Sequence, residues 1–370
     1  MSASSAPPRF PAISASRHAM RVGVLTFHRC INYGSYWQAR CLVEGLRAMG
    51  HEAELLDHDA PEVRRAEWRC AFQPRLPVRG PRSDLPLYAA KARRFLSAFE
   101  HLPESRRFAL DRPEEAGNYD AVLVGSDEVW NFRHPWYGSR PIFFGERLRA
   151  RRLASYGASF GNHDAEHGLD ANWAAKLDRF DALSVRDENS RRLVRQGLNR
   201  EPELVLDPCL QFPPPPAAPA GERAPYLALY GHGFPDWFAA AVRGWAVAAG
   251  HRVLSIGYRN DWADEQRIDA GPDAFSSLIA GADAVATNFF HGCVFALHHR
   301  RPFVSAPSAY RLNKVRDLVH LLAAERHLVT EGTPPAAYAE LLGTTLDPAI
   351  GARIDAMRAR SSAYLASALG

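Results

Sequence analysis

The sequence predicts an α/β protein built from two halves. Three observations carry this reading. β-rich runs alternate with helical periodicities from Arg21 to Leu206, the same alternation resumes at Tyr226, and a proline-rich stretch, FPPPPAAPAGER from Phe212 to Arg223, lies between them. Its prolines lack a backbone N–H and favour an extended spacer. The expected organisation is a disordered leader at 1–20, a first α/β unit at 21–212, a spacer at 213–223, a second unit at 224–334 and a helical tail at 335–370.

Residues 1–20 are rich in Ser, Ala and Pro and lack the continuous apolar core of a secretory signal. Val22 to Phe27 then reads as a strand, followed by a Gly/Asn loop and by Ala39, Leu42, Leu46 and Met49 at helical spacing before Gly50. Leu55-Leu56 opens a second strand and completes a βαβ unit. The loop from His28 to Ser35 therefore sits at the carboxyl end of a parallel strand, where α/β proteins bind ligands. Residues 61–110 are less regular and read as helices and loops, with eleven Lys or Arg against five Asp or Glu. Further strands are expected at 121–124, 153–158, 182–185 and 204–206, with helices around 172–180 and 188–196. Beyond the spacer, strands at 226–230, 252–256, 284–287 and 302–305 interleave with helices at 237–249, 273–280, 293–299 and 313–322.

Composition narrows the function. The chain has 370 residues, 46% of them hydrophobic and 23% charged, which fits a folded globular protein rather than a disordered or disulfide-scaffold one. A net charge of +4 is too small an excess to imply nucleic-acid binding, and none is expected. The five cysteines are dispersed without a CxxC pair, so neither a zinc site nor a disulfide framework is suggested and a reducing, cytoplasmic setting fits. No apolar run is long enough to span a bilayer. The basic segment 61–110, with Phe95 and Phe99 interleaved, suggests contact with an anionic membrane surface; the alternative is a solvated helix face.

Three segments offer chemistry. In TFHRCINYGSYWQA, His28 and Arg29 leave the first strand while Asn32 and Gly34 allow a tight turn into a helix, which either holds an anion or is an ordinary turn. In VLVGSDEVWN, Gly125, Ser126 and Asp127 put a hydroxyl and a carboxylate on the sheet rim. Asp127 is there either a general base and hydroxyl orienter or a helix cap. In VATNFFHGCVFAL, Asn288 ends a strand and His291-Gly292 opens an apolar helix, whose N-terminus favours a bound phosphate or carboxylate. On this reading the amides of Gly292 and Cys293 are free to join His291 on one anion. Arg186, Lys314, Arg316 and Arg326 are weaker candidates, for which a charged helix face is the usual explanation. A P-loop, a GxGxxG after the first strand, HExxH and GxSxG are all absent.

Together and in order, LTFHRCINYGSYWQA, YDAVLVGSDEVWN, ASYGASFG, LSVRDENS, VLDPCL, DAGPDAFSSLIAGADAVATNFFHG and KVRDLV resemble the polysaccharide pyruvyl transferase family from about Arg21 to Arg326. The resemblance implies two Rossmann-like domains facing across a cleft, as in GT-B glycosyltransferases. It also implies transfer of a pyruvyl group from phosphoenolpyruvate, the donor substrate, to two hydroxyls of a sugar or glycan acceptor, with release of phosphate. Cofactor and metal are not called for. Matched by position, the signature His before Gly falls on His291, the Asn-x-Gly loop on Asn32 and Gly34, and the Gly-Ser-Asp turn on Gly125, Ser126 and Asp127. His291 is expected as acid or phosphate donor and Asp127 as base or hydroxyl orienter, with His28, Arg29, Asn32, Gly34, Ser126, Arg186, Asn288, Gly292 and Lys314 binding substrate. One departure stands out: where many members have Arg or Ser two residues before the His, this chain has Phe289, leaving the donor's anion to Arg29, Arg186 or Lys314. The alternatives are a nucleotide-sugar glycosyltransferase of the same architecture and a non-catalytic sugar- or anion-binding relative.

Overall fold

The computed structural model describes residues 19–215 and 224–370, so nearly all of the expected leader and most of the expected spacer lie outside the described residues. The first half opens with β1 (Arg21–Leu25), buried without a break after Arg21, as a parallel strand covered on both faces should be. α1 (Tyr33–Ala48) and β2 (Glu52–Leu55) follow. The Asn32 side chain starts α1 by accepting from the amides of Gly34 and Ser35 at 2.8 and 3.3 Å. β3 (His58–Asp59) follows, and the basic segment resolves into the helices α2 (Pro61–Phe72) and α3 (Leu85–Phe99) and into β4 (Phe108–Ala109), which pairs parallel with β3. β5 (Asn118–Val124), β6 (Arg149–Ser155), α4 (Ala171–Asp178), β7 (Ser184–Val185), α5 (Glu188–Leu198), β8 (Glu203–Leu204) and α6 (Pro208–Gln211) complete it. The sheet runs β2-β1-β5-β6, all parallel, and single bridges from Ala154 to Ala182 and from Ala158 to Val185 lead on to the β7–β8 pair.

The second half contains β9 (Tyr226–Tyr230), α7 (Asp236–Ala248), β10 (Arg252–Ile256), β11 (Glu265–Arg267), α8 (Pro272–Gly281), β12 (Ala284–Thr287), α9 (Phe290–His298), β13 (Phe303–Ser305), α10 (Leu312–Leu321), α11 (Pro335–Gly343) and α12 (Pro348–Leu369). Its sheet is parallel in the order β11-β10-β9-β12-β13. In both halves the strand order reverses around the first strand, β1 or β9, and such a reversal opens a crevice at the strands' carboxyl ends.

The halves are joined along α1, whose apolar face shares one core with α8, α9 and α12. Tyr33 Oη donates to Ala270 O at 2.6 Å and Trp37 Nε1 to Pro272 O at 3.1 Å. α11 packs on the second sheet through Tyr338, Leu341 and Leu342. α12 instead returns to the first half, where Tyr364 Oη donates to Ser155 O at 2.6 Å and Ser361 Oγ accepts from Leu206 N at 3.0 Å.

Several expectations need correction. β1 stops at Leu25, with Thr26 and Phe27 buried in the loop beyond it. β6 starts at Arg149, ahead of the expected Leu153, because three arginines mask its strand character. Phe95 and Phe99 do not interleave with surface arginines: they are buried, with Phe95 beside Tyr33 and both beside Tyr36 at ring separations of 5.1–6.2 Å. α9 begins at Phe290 rather than Cys293, which places His291 inside its first turn. Among the described residues no helix is long and apolar enough to cross a membrane.

Candidate active site

The two crevices face each other across a cavity of about 310 Å³. The first half contributes Asn32 and Ser35 at the start of α1, Glu67 of α2, Lys91 of α3, and Asp127, Glu128 and His134 after β5. The second half contributes His232 after β9, Tyr258 after β10, Phe289 and His291 after β12, and Tyr310, Arg311 and Lys314 after β13.

His291 reaches across to the first half. A methyl group on Gly34 would collide with His291 Nδ1, so the imidazole lies directly on the α1 backbone. On the far side of the ring, Nε2 stands 3.5 Å from Asp207 Oδ2 and makes no hydrogen bond, although it is buried. Asp207 caps α6 by accepting from Cys209 N at 3.0 Å, and its Oδ2 accepts from Arg186 Nη1 at 2.8 Å. Arg186 Nη2 continues to Asp127 Oδ1 at 3.0 Å. A buried chain of ionisable side chains, His291–Asp207–Arg186–Asp127, thus runs beneath the cleft. Burial alone would raise the Asp207 carboxyl, but His291, Arg186 and the Cys209 amide outweigh it and hold the group well below the usual carboxylate range.

Asp127 has a left-handed backbone, φ 74°, uncommon for a residue other than glycine. Burial pushes its carboxyl up, and Arg186, His291 and Lys314 more than reverse this, keeping it ionised. Its oxygens are already engaged: Oδ2 accepts from Ser35 Oγ at 2.9 Å, and Oδ1 accepts from Glu128 N at 2.9 Å as well as from Arg186. An ionised carboxylate so occupied is better suited to orient a hydroxyl through Ser35 than to take a proton itself. It caps no helix.

The other expected residues divide. Asn32 lines the cavity with its side-chain oxygen committed to the α1 cap. Lys314 lines it too and is paired with Glu128. Ser126 does not line it: fully buried, its Oγ donates to Gly157 O at 2.9 Å. Arg186 is the shared counter-charge of two aspartates, seated 4.5 Å over the Phe290 ring, and is not free to grip a substrate. His28 and Arg29 turn away from the cleft toward Asp57, which is 3.3 Å from His28 Nε2 and accepts from Arg29 Nε at 2.8 Å and Arg107 Nε at 3.0 Å. Asn288 supports the cleft from behind, donating to His232 O at 2.8 Å. Gly292 is a packing glycine, since a methyl there would strike Thr287 Oγ1. The amides of Gly292 and Cys293 are not free, because both donate to Phe289 O, at 3.0 and 3.3 Å.

Sequence reasoning missed Ser35, Glu128, Asp207, Glu67, Lys91, Tyr310 and Arg311. Glu128 and Asp207 lie inside the motifs GSDEVW and VLDPCL, whose polar residues were the available signal. Glu67 and Lys91 are unmarked helix positions: burial raises the first to about 7 and lowers the second to about 7. Arg311, which lines the cavity, stacks on the ring of Phe289, 4.2 Å from its centroid. Two residue triads could approach a cation, Asp207–Cys209–His291 and His28–Asp57–Glu104. Their carboxylates already receive guanidinium groups from Arg186, and from Arg29 and Arg107, so neither set fits a metal centre.

Solved structures of similar extent are found. The glycosyltransferase SsfS6 from Streptomyces sp. SF2575, solved with thymidine diphosphate, is 17% identical, with 93% of this chain and 96% of that chain covered at a TM-score of 0.45. A Listeria monocytogenes structure described as a UDP-N-acetylglucosamine 2-epimerase is 9% identical over 92% of this chain and 91% of its own, with a TM-score of 0.50. The UDP-GlcNAc 2-epimerase of Methanocaldococcus jannaschii, with UDP-GlcNAc and UDP, is 11% identical over 89% and 94%, with a TM-score of 0.47. At such identities the likeness concerns the fold alone, and the Listeria structure, at a TM-score of 0.50, is the one that carries it. No curated protein matches the sequence. The model of the family named polysaccharide pyruvyl transferase matches residues 32–307, most of the chain and all of the cleft except Phe27, Cys30, Ile31 and the Tyr310–Lys314 segment. The chain therefore belongs to the polysaccharide pyruvyl transferase family.

Proposed function

We propose that the chain moves the pyruvyl group of phosphoenolpyruvate onto two hydroxyls of a sugar or glycan, forming a cyclic ketal and releasing phosphate. The observation that carries this reading is His291, a buried imidazole that lines the cleft between two Rossmann-like halves with its Nε2 facing the Asp207 carboxylate at 3.5 Å. Ketal formation needs a proton on the methylene carbon of phosphoenolpyruvate and charge held close to it. In the proposed sequence His291 delivers that proton, turning the methylene into a methyl group. One sugar hydroxyl bonds to the adjacent carbon, phosphate leaves with the electrons of its C–O bond, and the second hydroxyl closes the ring. Of the two hydroxyl protons, one replaces that given by His291 and the other leaves with phosphate. Asp127 acts through Ser35, whose Oγ donates to it and lines the cleft. Lys314 lines the same cleft as an ion pair with Glu128. The setting that fits is cytoplasmic assembly of cell-surface polysaccharide.

Phosphate release from phosphoenolpyruvate, measured across a panel of free and lipid-linked sugars, tests the reading. Acceptor-dependent release supports it. Turnover of a nucleotide sugar without phosphoenolpyruvate, or sugar binding with no turnover of either donor, overturns it.

A further inference from the structure

We infer that Arg311 is the anion-binding group of the cleft, held ready by the aromatic face of Phe289 to take the phosphate or carboxylate of an anionic donor. The inference rests on the cleft being the donor site, and it begins from a charge inventory. Arg186 is neutralised by Asp127 and Asp207, and Lys314 by Glu128. Lys91 is buried over the rings of Tyr33 and Tyr258 and donates to Gly257 O at 3.1 Å, and burial favours its neutral form. Arg311 differs from all three. Among the described residues its guanidinium meets no carboxylate, and the hydrogen bond it makes is to the hydroxyl of Ser308, at 3.2 Å. It nonetheless lines the same cavity as His291 and Lys314.

Its position is built rather than incidental. The guanidinium lies 4.2 Å from the centroid of Phe289, a ring fixed edge-on by Tyr230, His232 and Tyr258 at centroid separations of 5.0–5.4 Å. Stacking on an aromatic face fixes the plane of a guanidinium and leaves its outer N–H groups free to make paired hydrogen bonds to an oxyanion. The charge is felt locally: burial lowers His232 to about 4, and Arg311 adds to that shift. In this protein the β12–α9 turn thus supplies the aromatic platform and the β13–α10 loop supplies the charge.

The test is a thermal-shift and calorimetric titration of the full chain with three probes: inorganic phosphate, phosphoenolpyruvate and thymidine diphosphate. It compares wild type with Arg311→Gln, Arg311→Lys, Phe289→Leu and, as a control, Arg316→Gln, a half-buried residue outside the cavity that is paired with its neighbour Asp317. Losing a charge-assisted pair of hydrogen bonds should weaken binding by about 10–100-fold in Arg311→Gln. Arg311→Lys and Phe289→Leu should weaken it less, and Arg316→Gln not at all. Equal affinity in wild type and a folded Arg311→Gln overturns the inference, as does a wild type that binds none of the three probes. If thymidine diphosphate binds through Arg311 and phosphoenolpyruvate does not bind, the inference stands while the pyruvyl-donor reading falls.

Discussion

Gly34 decides where His291 can sit. A side chain there would occupy the space of the imidazole, so the closeness of α1 to α9 and the placing of the proposed acid are one constraint. Gly34→Ala should therefore lower turnover by pushing the ring off its position, and overpacking at this contact should destabilise the protein by about 1–3 kcal/mol. A Gly34→Ala protein with unaltered rate and melting temperature would show that the ring does not need this seat. The imidazole itself is tested by two substitutions. His291→Ala removes a proton donor and should reduce turnover by about 10²–10⁴-fold. His291→Gln keeps a hydrogen-bond donor without a titratable proton, so it should bind phosphoenolpyruvate yet turn it over as poorly as the alanine variant. Full turnover in His291→Gln would dismiss the acid role.

At the scale of elements, α2 and α3 bring Glu67 and Lys91 into the cleft wall, and their titration leaves a mark on stability. Burial lowers Lys91 from 10.5 to about 7 in the folded protein. Below pH 7 the folded state holds a buried ammonium that the unfolded chain exposes to water, so the full penalty applies. Between pH 7 and 10.5 the unfolded chain binds the extra proton and stability rises with pH as the penalty fades. Lys91→Met should accordingly stabilise the protein by a few kcal/mol below pH 7, with the gain shrinking as pH climbs through this window. Melting temperatures of both proteins from pH 6 to 10 check it, and a gain independent of pH would contradict the assignment. Neither residue was legible in the sequence, where both are ordinary polar positions on helices. What was legible shares a cause: β1, β5, β9, β10 and β12 are apolar on both faces, so composition alone marks them. β11, three half-buried polar residues on a sheet edge, carries no such mark. The same limit explains the site. Strand ends located the loops holding His28, Asp127 and His291, but not which way each side chain turns, and His28 and Arg29 turn toward Asp57. The Phe289–Arg311 stack joins two loops 22 positions apart by side-chain geometry alone.

For the whole molecule, the arrangement of the halves decides which surface surrounds the cleft mouth. The connection between α2 and α3 runs beside it, since Pro74 lines the cavity. From 73 to 84 this connection carries Arg75, Arg79 and Arg82, and its one acidic residue, Asp84, is buried and paired with Arg259. Leu76 and Val78 are exposed there, as are Trp68 of α2 and Leu85 and Leu96 of α3. The expected membrane contact therefore shifts from Phe95 and Phe99, which are in the core, to this basic and apolar rim. Each arginine near an anionic surface contributes roughly 1 kcal/mol, and exposed Leu and Val side chains add an apolar term that salt does not screen. The protein should float with vesicles containing phosphatidylglycerol, and not with pure phosphatidylcholine, at low and at physiological salt. Replacing Arg75, Arg79 and Arg82 together by Ser should abolish flotation, while Leu76→Ser with Val78→Ser should weaken it chiefly at the higher salt. Turnover of a water-soluble acceptor should stay unchanged in both variants, because none of these five side chains lines the cavity. Absence of flotation at both salt concentrations would remove the membrane contact and leave the chemistry of the cleft untouched.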